Sequence, residues 1–125
     1  MDFLKANFDV AIRPQFVVAV AILRDHKGEI LVACSQRLPH MDSNQGEAKA
    51  ALIAVQLAPN SGPLPLILEG DSLVTILAIN SPHLATNWAF AQAFADINQQ
   101  LHLLPSWTAL KSSRRANFYA HHIAK

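Results

Sequence analysis

Two apolar segments joined by a four-residue turn constrain the fold of this chain more than any other feature. Residues 16–24 are almost wholly apolar and rich in β-branched side chains, which is typical of a buried strand. Residues 25–28 read Asp-His-Lys-Gly and end on a glycine, which turns favour where φ is positive. Residues 29–37 then predict a returning strand, so the segments form a β-hairpin. Because residues 3–9 predict a strand before it, the chain opens as an antiparallel meander.

Helical and extended patterns alternate after this meander. Apolar residues at helical spacing predict a helix over residues 46–58, capped by Ser43 or Asn44. The short apolar segment 64–69 suits a strand in the middle of a sheet that is covered on both faces. The remaining expected elements are a helix over 72–80 capped by Asp71 or Ser72, a helix over 86–101, a strand over 105–110 and a terminal helix over 114–125.

This element order predicts a mixed sheet with helices packed against it. The two tryptophans, Trp88 and Trp107, fall among apolar residues and are expected in the core or at its rim, with stacking on bases as the alternative. The core is expected to come mainly from these residues: Val17, Val18, Val20, Ile22, Ile30, Val32, Leu52, Val55, Leu66, Leu68, Leu77 and Phe94.

The composition favours one folded domain over residues 1–125. Hydrophobic residues make up 51% of the 125 residues and charged residues 15%, which argues against disorder. No apolar run approaches the roughly 18 residues of a membrane span, and no secretory signal precedes the first strand, so an intracellular protein is expected. The net charge of +1 gives no global field that attracts nucleic acid.

Three carboxylates come from three different predicted elements. Asp9 ends the first strand, Glu47 lies in the first turn of the first helix, and Asp71 follows the fourth strand. Acidic groups gathered from separate elements commonly hold hard divalent cations through oxygen ligands. Close carboxylates repel one another, so without a metal ion this cluster should be partly protonated.

Five stretches of the chain carry a resemblance to a known family. Asn7-Phe8-Asp9 is followed, in order, by matching residues 22–31, 46–52, 66–72 and 113–125. Over these stretches the chain resembles the ribonuclease H type 1-like domains of plants, many of them related to retroelement reverse transcriptases. The resemblance implies an α/β ribonuclease H-like fold: a mixed five-stranded sheet, its first three strands antiparallel, flanked by helices. The chain would be one such domain, truncated at its terminal helix.

The resemblance also implies an activity and its metal ligands. Asp9, Glu47 and Asp71 match, one by one, the family carboxylates that bind two Mg²⁺ ions, with Mn²⁺ as an alternative ion. The implied reaction is hydrolysis of the RNA strand of an RNA–DNA hybrid by two-metal chemistry. The implied partner is that hybrid or another nucleic acid, recognised through its minor groove and 2′-hydroxyls.

Three positions depart from the family pattern. Active members carry a fourth carboxylate four residues after the asparagine that matches Asn117, where this chain has His121. His121 is therefore included among the catalytic residues as a substitute that brings no negative charge. Lys111 stands where a histidine often aids proton movement, and Val10 replaces the glycine that usually follows the first aspartate, where we expect it to crowd the backbone near the substrate.

The end of the chain carries a modest cationic patch. Lys111, Arg114, Arg115 and Lys125 give the last fifteen residues four cations and no carboxylate. Lys111, Arg114, Arg115 and Asn117 are the expected nucleic-acid contacts, and a solvated helix face is the alternative reading of the patch.

The neighbouring histidines His121 and His122 allow two interpretations. With Asp9 and Asp71 they are candidates for a zinc or manganese site. Alternatively, they are an exposed or capping pair near a helix C-terminus, where a charged histidine suits the helix dipole.

Three functions remain open at this point. The first is a metal-dependent endoribonuclease acting on RNA–DNA hybrids. The second is a catalytically weak or inactive nucleic-acid-binding domain, and the third is a protein-interaction module that keeps only the fold. A monomer without a membrane anchor is expected, and the sequence does not distinguish nucleus from cytoplasm.

Overall fold

The described part of the chain comprises residues 2–58, 64–81 and 88–112 of a computed structural model. The predicted terminal helix over 114–125 lies outside these residues. So do four of the predicted site residues, His121, Arg114, Arg115 and Asn117.

The order of the described elements confirms the predicted one. These elements are β1 (Leu4–Ile12), β2 (Phe16–Arg24), β3 (Ile30–Pro39), α1 (Ser43–Leu57), β4 (Leu66–Gly70), α2 (Leu73–Asn80), α3 (Trp88–Leu101) and β5 (Trp107–Lys111). Among the described helices, none is long and apolar enough to cross a membrane.

The five strands form one mixed sheet in the order β3-β2-β1-β4-β5. β1, β2 and β3 pair antiparallel, whereas β4 pairs parallel to both β1 and β5. This arrangement confirms the predicted fold class. The hairpin turn between β2 and β3 also follows the prediction, because Asp25 Oδ1 accepts the backbone N–H groups of Lys27 and Glu29, and Gly28 has φ +86°.

The main core lies on one face of the sheet, beneath α1 and α3. Side chains alternate between the two faces of a strand, so Ala6 and Phe8 of β1 point into this core. Val20 and Ile22 of β2 are fully buried in a second, smaller cluster on the opposite face. Trp107 packs at the rim of the main core, as expected for one of the two tryptophans.

The prediction of a core position is wrong for three residues. Ile30 is 51% exposed and Val32 41% exposed, because β3 is the edge of the sheet. An irregularity in the β2–β3 register lies beside them. Leu77 is 52% exposed, because it lies on the outer face of α2 while Ile76 points inward. An apolar side chain in a strand or helix does not reveal by itself whether its neighbour is protein or water.

The cap of α1 also differs from the prediction of Ser43 or Asn44. Asp42 Oδ1 accepts the backbone N–H of Gln45 at 2.8 Å, so Asp42 is the N-cap. β3 extends to Pro39, and the connection to α1 is therefore shorter than expected. The cap of α2 is Ser72, one of the two residues predicted for it.

The two faces of α2 predict unequal effects of adjacent substitutions. Ile76→Ala removes a buried side chain and should lower the free energy of unfolding by about 2–5 kcal/mol. Leu77→Ala removes an exposed one and should lower it by less than about 1 kcal/mol. Urea denaturation of both variants beside wild type measures the difference, and equal losses would show that the outer face of α2 is covered.

Candidate metal centre

The parallel pairing of β1 with β4 brings two of the three carboxylates together. The last paired residues are Asn7 and Glu69. Asp9 and Asp71 each follow two residues later, on the same faces of their strands as these partners. Both aspartates therefore lie side by side where the parallel pairing of β1 with β4 ends. Asp9 does not end its strand as predicted, because β1 continues to Ile12 in its pairing with β2.

The third carboxylate comes from the start of α1. Asp42 caps this helix, and Glu47 is its fifth residue, just past the first turn in which the sequence placed it, because the helix begins at Ser43 and not at Gly46. The helix approaches the sheet closely here, because a Cβ built on Gly46 would lie 2.9 Å from Val10 Cγ2 and 3.3 Å from Val17 Cγ1. Glycine at position 46 thus lets the turn that carries Glu47 sit against β1.

Together the three side chains form a compact acidic cluster. One oxygen from each of Asp9, Glu47 and Asp71 lies within 4.8 Å of the other two. Asp9 is 3% exposed and Glu47 7% exposed, while Asp71 is half-buried and opens the cluster to solvent. Asp9 Oδ1 accepts the backbone N–H of Val10 at 2.8 Å, which helps to fix its orientation.

The electrostatics of Glu47 fit a cation site. Burial, together with the nearby charges of Asp9 and Asp71, raises the pKa of Glu47 from its ordinary 4.5 to about 8, and burial is the largest of these causes. Glu47 Oε2 is buried and has no hydrogen-bond partner. A hard divalent cation bound through oxygen atoms would satisfy both the orphaned oxygen and the repulsion among the carboxylates. The acids therefore cluster as in a divalent-metal site, and the identity of the ion stays a prediction.

A row of polar side chains behind the cluster escaped the sequence analysis. Asn7 is 1% exposed, and its Nδ2 donates to Glu69 Oε2 at 3.4 Å. Lys5 Nζ lies 3.4 Å from Glu69 Oε1. The sequence does carry a sign of this polar row. Lys5, Asn7 and Asp9 alternate with apolar residues along β1 and so share one face of the strand.

Two further positions singled out in the sequence, Lys111 and Val10, lie next to residues that neighbour the cluster. Lys111 is exposed at the end of β5 and pairs with Gly70, the residue before Asp71. Its role in binding nucleic acid stays a prediction. The side chain of Val10 lies against Gly46 on the α1 side of β1, and its effect on a substrate stays a prediction.

Comparison with known proteins identifies the family. Residues 7–125 match the family described as reverse transcriptase-like. The chain belongs to this reverse transcriptase-like family. No curated protein matches it by sequence at a significant level.

The solved structures that share this fold include ribonucleases H. RNase H1 of the halophilic archaeon Halobacterium salinarum NRC-1 is 20% identical, with a TM-score of 0.86 over 95% of this chain and 92% of its own. The N-terminal RNase H domain of a Mycobacterium tuberculosis protein is 12% identical, with a TM-score of 0.90 over 99% of this chain and 91% of its own.

A third solved structure contains a nucleic acid. LC11-RNase H1 in complex with an RNA/DNA hybrid is 15% identical, with a TM-score of 0.86 over 95% of this chain and 91% of its own. At these identities the likeness shows the fold alone, so the chain has the RNase H-like fold. The predicted plant origin and retroelement link stay predictions.

The raised pKa of Glu47 predicts an unusual dependence of stability on pH. Without metal, the folded chain binds a proton that the unfolded chain releases above about pH 4.5. The free energy of unfolding contributed by Glu47 is therefore highest below that pH and falls as the pH rises through about 8. Urea denaturation in EDTA should show this fall in wild type but not in Glu47→Gln. A difference between the two proteins that is independent of pH would contradict the account.

The contact between Gly46 and Val10 predicts a rescue experiment. Gly46→Ala places a methyl group against Val10 and should push the part of α1 that carries Glu47 away from the aspartates. We expect Mn²⁺ affinity, measured by calorimetry, to fall about tenfold. Val10→Ala in the same protein frees the space and should restore most of the affinity. Unchanged binding in Gly46→Ala, or no recovery in the double variant, would show that this contact does not position Glu47.

Proposed function

We propose that the chain is a divalent-metal-dependent ribonuclease that hydrolyses the RNA strand of RNA–DNA hybrids. The observation that carries the proposal is the meeting of Asp9, Glu47 and Asp71 oxygens within 4.8 Å in a fold of the RNase H type. Mg²⁺ is the proposed ion, with Mn²⁺ as the alternative, since both prefer oxygen ligands. An intracellular, monomeric protein is part of the same proposal.

The three carboxylates differ in burial and protonation, and each therefore has its own role in binding the cation. Asp9, the most buried of the three, is the central ligand that the family resemblance implies. Glu47 holds a proton near neutral pH in the metal-free protein and gives it up when a cation binds. Asp71 is the most exposed ligand and faces the side from which a phosphate would enter.

When bound, divalent cations supply the activation of water and the stabilisation of the leaving oxygen in an in-line displacement at phosphorus. The chain's own task is to hold these cations in a fixed place. The positions of the three carboxylates suit this task, because Asp9 lies within a paired strand, Asp71 directly follows one, and Glu47 lies near the start of a capped helix.

The replacement of the fourth family carboxylate by His121 supports a second candidate function. One neutral imidazole nitrogen lacks the charge and the hard oxygen of a carboxylate, so a second cation would bind more weakly. The alternative is therefore a nucleic-acid-binding domain with little or no turnover. The exposed apolar face of α2, formed by Leu73, Val74 and Leu77, favours a protein-interaction module as a further alternative.

Cleavage of a labelled RNA–DNA hybrid tests the proposal. We expect wild type to cut the RNA strand in Mg²⁺ or Mn²⁺ and Asp9→Asn to lose about a hundredfold or more of the rate. Asp96→Asn is the matched control, since Asp96 lies on α3 and bonds only Gln92 of the same helix among the described contacts. Equal cleavage by wild type and Asp9→Asn would overturn the nuclease assignment.

If the folded wild-type protein does not cleave the hybrid, a second variant tests the proposal. His121→Asp restores the carboxylate that active relatives carry at this position, and the proposal expects cleavage to appear or rise in this variant. Hybrid binding without cleavage in both proteins would favour the binding domain instead.

A further inference from the structure

The outer side of β3 is a free edge of the sheet. Among the described strands, β3 pairs with β2 alone. The backbone N–H of Arg13 donates to the carbonyl oxygen of Phe16, so Phe16 and every second residue after it in β2 bond towards β1. The alternate residues of β2 bond towards β3, and their partners in β3 face inward. The backbone N–H and C=O groups of Ala33, Ser35 and Arg37 are therefore directed outward, to the free edge.

A groove beside this edge lies on the α1 face of the sheet. Because α1 packs mainly over β1 and β2, the same face of β3 stays largely open. A cavity of about 460 Å³ is left between the second half of β3 and the outer side of α1, and we call it the β3–α1 groove. Its lining includes apolar side chains of Leu38, Met41, Leu52 and Ile53, and Lys49 is the one charged residue among the described residues that line it.

The first half of β3 lacks the charges and prolines that commonly protect an edge strand. Residues 30–34 read Ile-Leu-Val-Ala-Cys, and the first three of these side chains are exposed. Lysine, proline or an inward-pointing charge usually prevents an edge from pairing with another chain. An unprotected apolar edge with outward backbone groups is suited to the addition of an extended peptide as a further strand.

An added strand would use the edge and the groove at the same time. Its backbone would bond to the outward groups of β3. Gln36 pairs with Ala19 of the main core, so Gln36 and Leu38 lie on the α1 face. Side chains of the added strand opposite these two residues would share that face and point into the β3–α1 groove. Backbone bonds would then supply affinity, and the groove would select the alternate side chains.

The charges at this edge favour an acidic peptide over a second copy of the chain. β3 contains one charged residue, Arg37, and no carboxylate. A second copy that paired through its own β3 would add another arginine and bring no acid to Lys49. An extended segment with apolar residues and a glutamate or aspartate at alternate positions would fill the groove and complement the charge of Lys49.

We propose that the free edge of β3 and the β3–α1 groove bind an extended, acidic and apolar segment of a partner protein as an added strand. This binding function goes beyond the proposed hydrolysis and does not depend on it. Asp9 pairs with Val20, whose side chain lies on the opposite face of the sheet from the groove. The bound segment and the first aspartate of the acidic cluster would thus lie on different faces.

Fluorescence anisotropy with a synthetic peptide tests the proposal. The probe is a short labelled peptide in which threonine alternates with leucine, glutamate and valine, and EDTA makes the result independent of any metal. We expect saturable binding that is lost when the threonine backbone nitrogens, which face β3, are methylated. Methylation of the other backbone nitrogens should leave binding intact. No saturable binding up to about 1 mM peptide, or equal effects of the two methylation patterns, would contradict the proposal.

Ser35→Pro and Ser35→Ala are the matched protein variants. Proline at position 35 removes an outward N–H but leaves the β2–β3 hydrogen bonds in place, because this N–H does not bond to β2. Ser35→Pro should weaken peptide binding about tenfold or more, since a peptide carbonyl loses its donor and the ring blocks its approach. Ser35→Ala keeps the N–H and should bind like wild type. Equal binding by Ser35→Pro and wild type would exclude pairing at this edge.

A charge exchange at Lys49 keeps the test decisive if the proline variant folds poorly. Lys49→Glu should weaken binding of the glutamate peptide about threefold and strengthen binding of the same peptide with lysine in place of glutamate by a similar factor. An unchanged preference would overturn the acidic partner. Light scattering of the protein alone gives a further check, because a stable wild-type dimer that Ser35→Ala keeps and Ser35→Pro loses would show that a second copy occupies the edge instead.

Discussion

The parallel pairing of β1 with β4 is the constraint on which the proposed site depends. It sets Asp9 and Asp71 side by side, and α1 then brings Glu47 close enough for all three oxygens to lie within 4.8 Å. Like charges this close oppose folding unless a proton or a cation is present. The paired strands and the capped helix keep the three carboxylates together, and burial followed by this repulsion raises the pKa of Glu47.

The sequence predicted the order of elements because apolar periodicity and turn chemistry are local properties. The hairpin turn at residues 25–28 and the Ser72 cap are examples. Exposure is not local: Ile30 and Leu77 are apolar yet face water, because one lies in the edge strand and the other on the outside of α2. The choice of Asp42 as cap depends on where β3 ends, which the residue pattern does not reveal.

The acidic cluster was predictable only with help from a resemblance. Asp9, Glu47 and Asp71 are far apart in the chain, and no spacing rule joins them. The contact of Val10 with Gly46 was not predictable, because a departure from the family at position 10 meets a small residue at position 46 only in three dimensions. The fold is nevertheless shared with structural relatives that are only 12–20% identical to this chain.

The most direct test of the account is a crystal of the protein soaked in Mn²⁺ at about pH 8.5, where Glu47 gives up its proton more readily. The account predicts an anomalous peak at about 2.1 Å from oxygen atoms of at least two of the three carboxylates. The peak should be absent from Asp9→Asn crystals. A well-ordered wild-type site with no peak, or a peak only elsewhere on the protein, would contradict the claim that these acids form a metal centre.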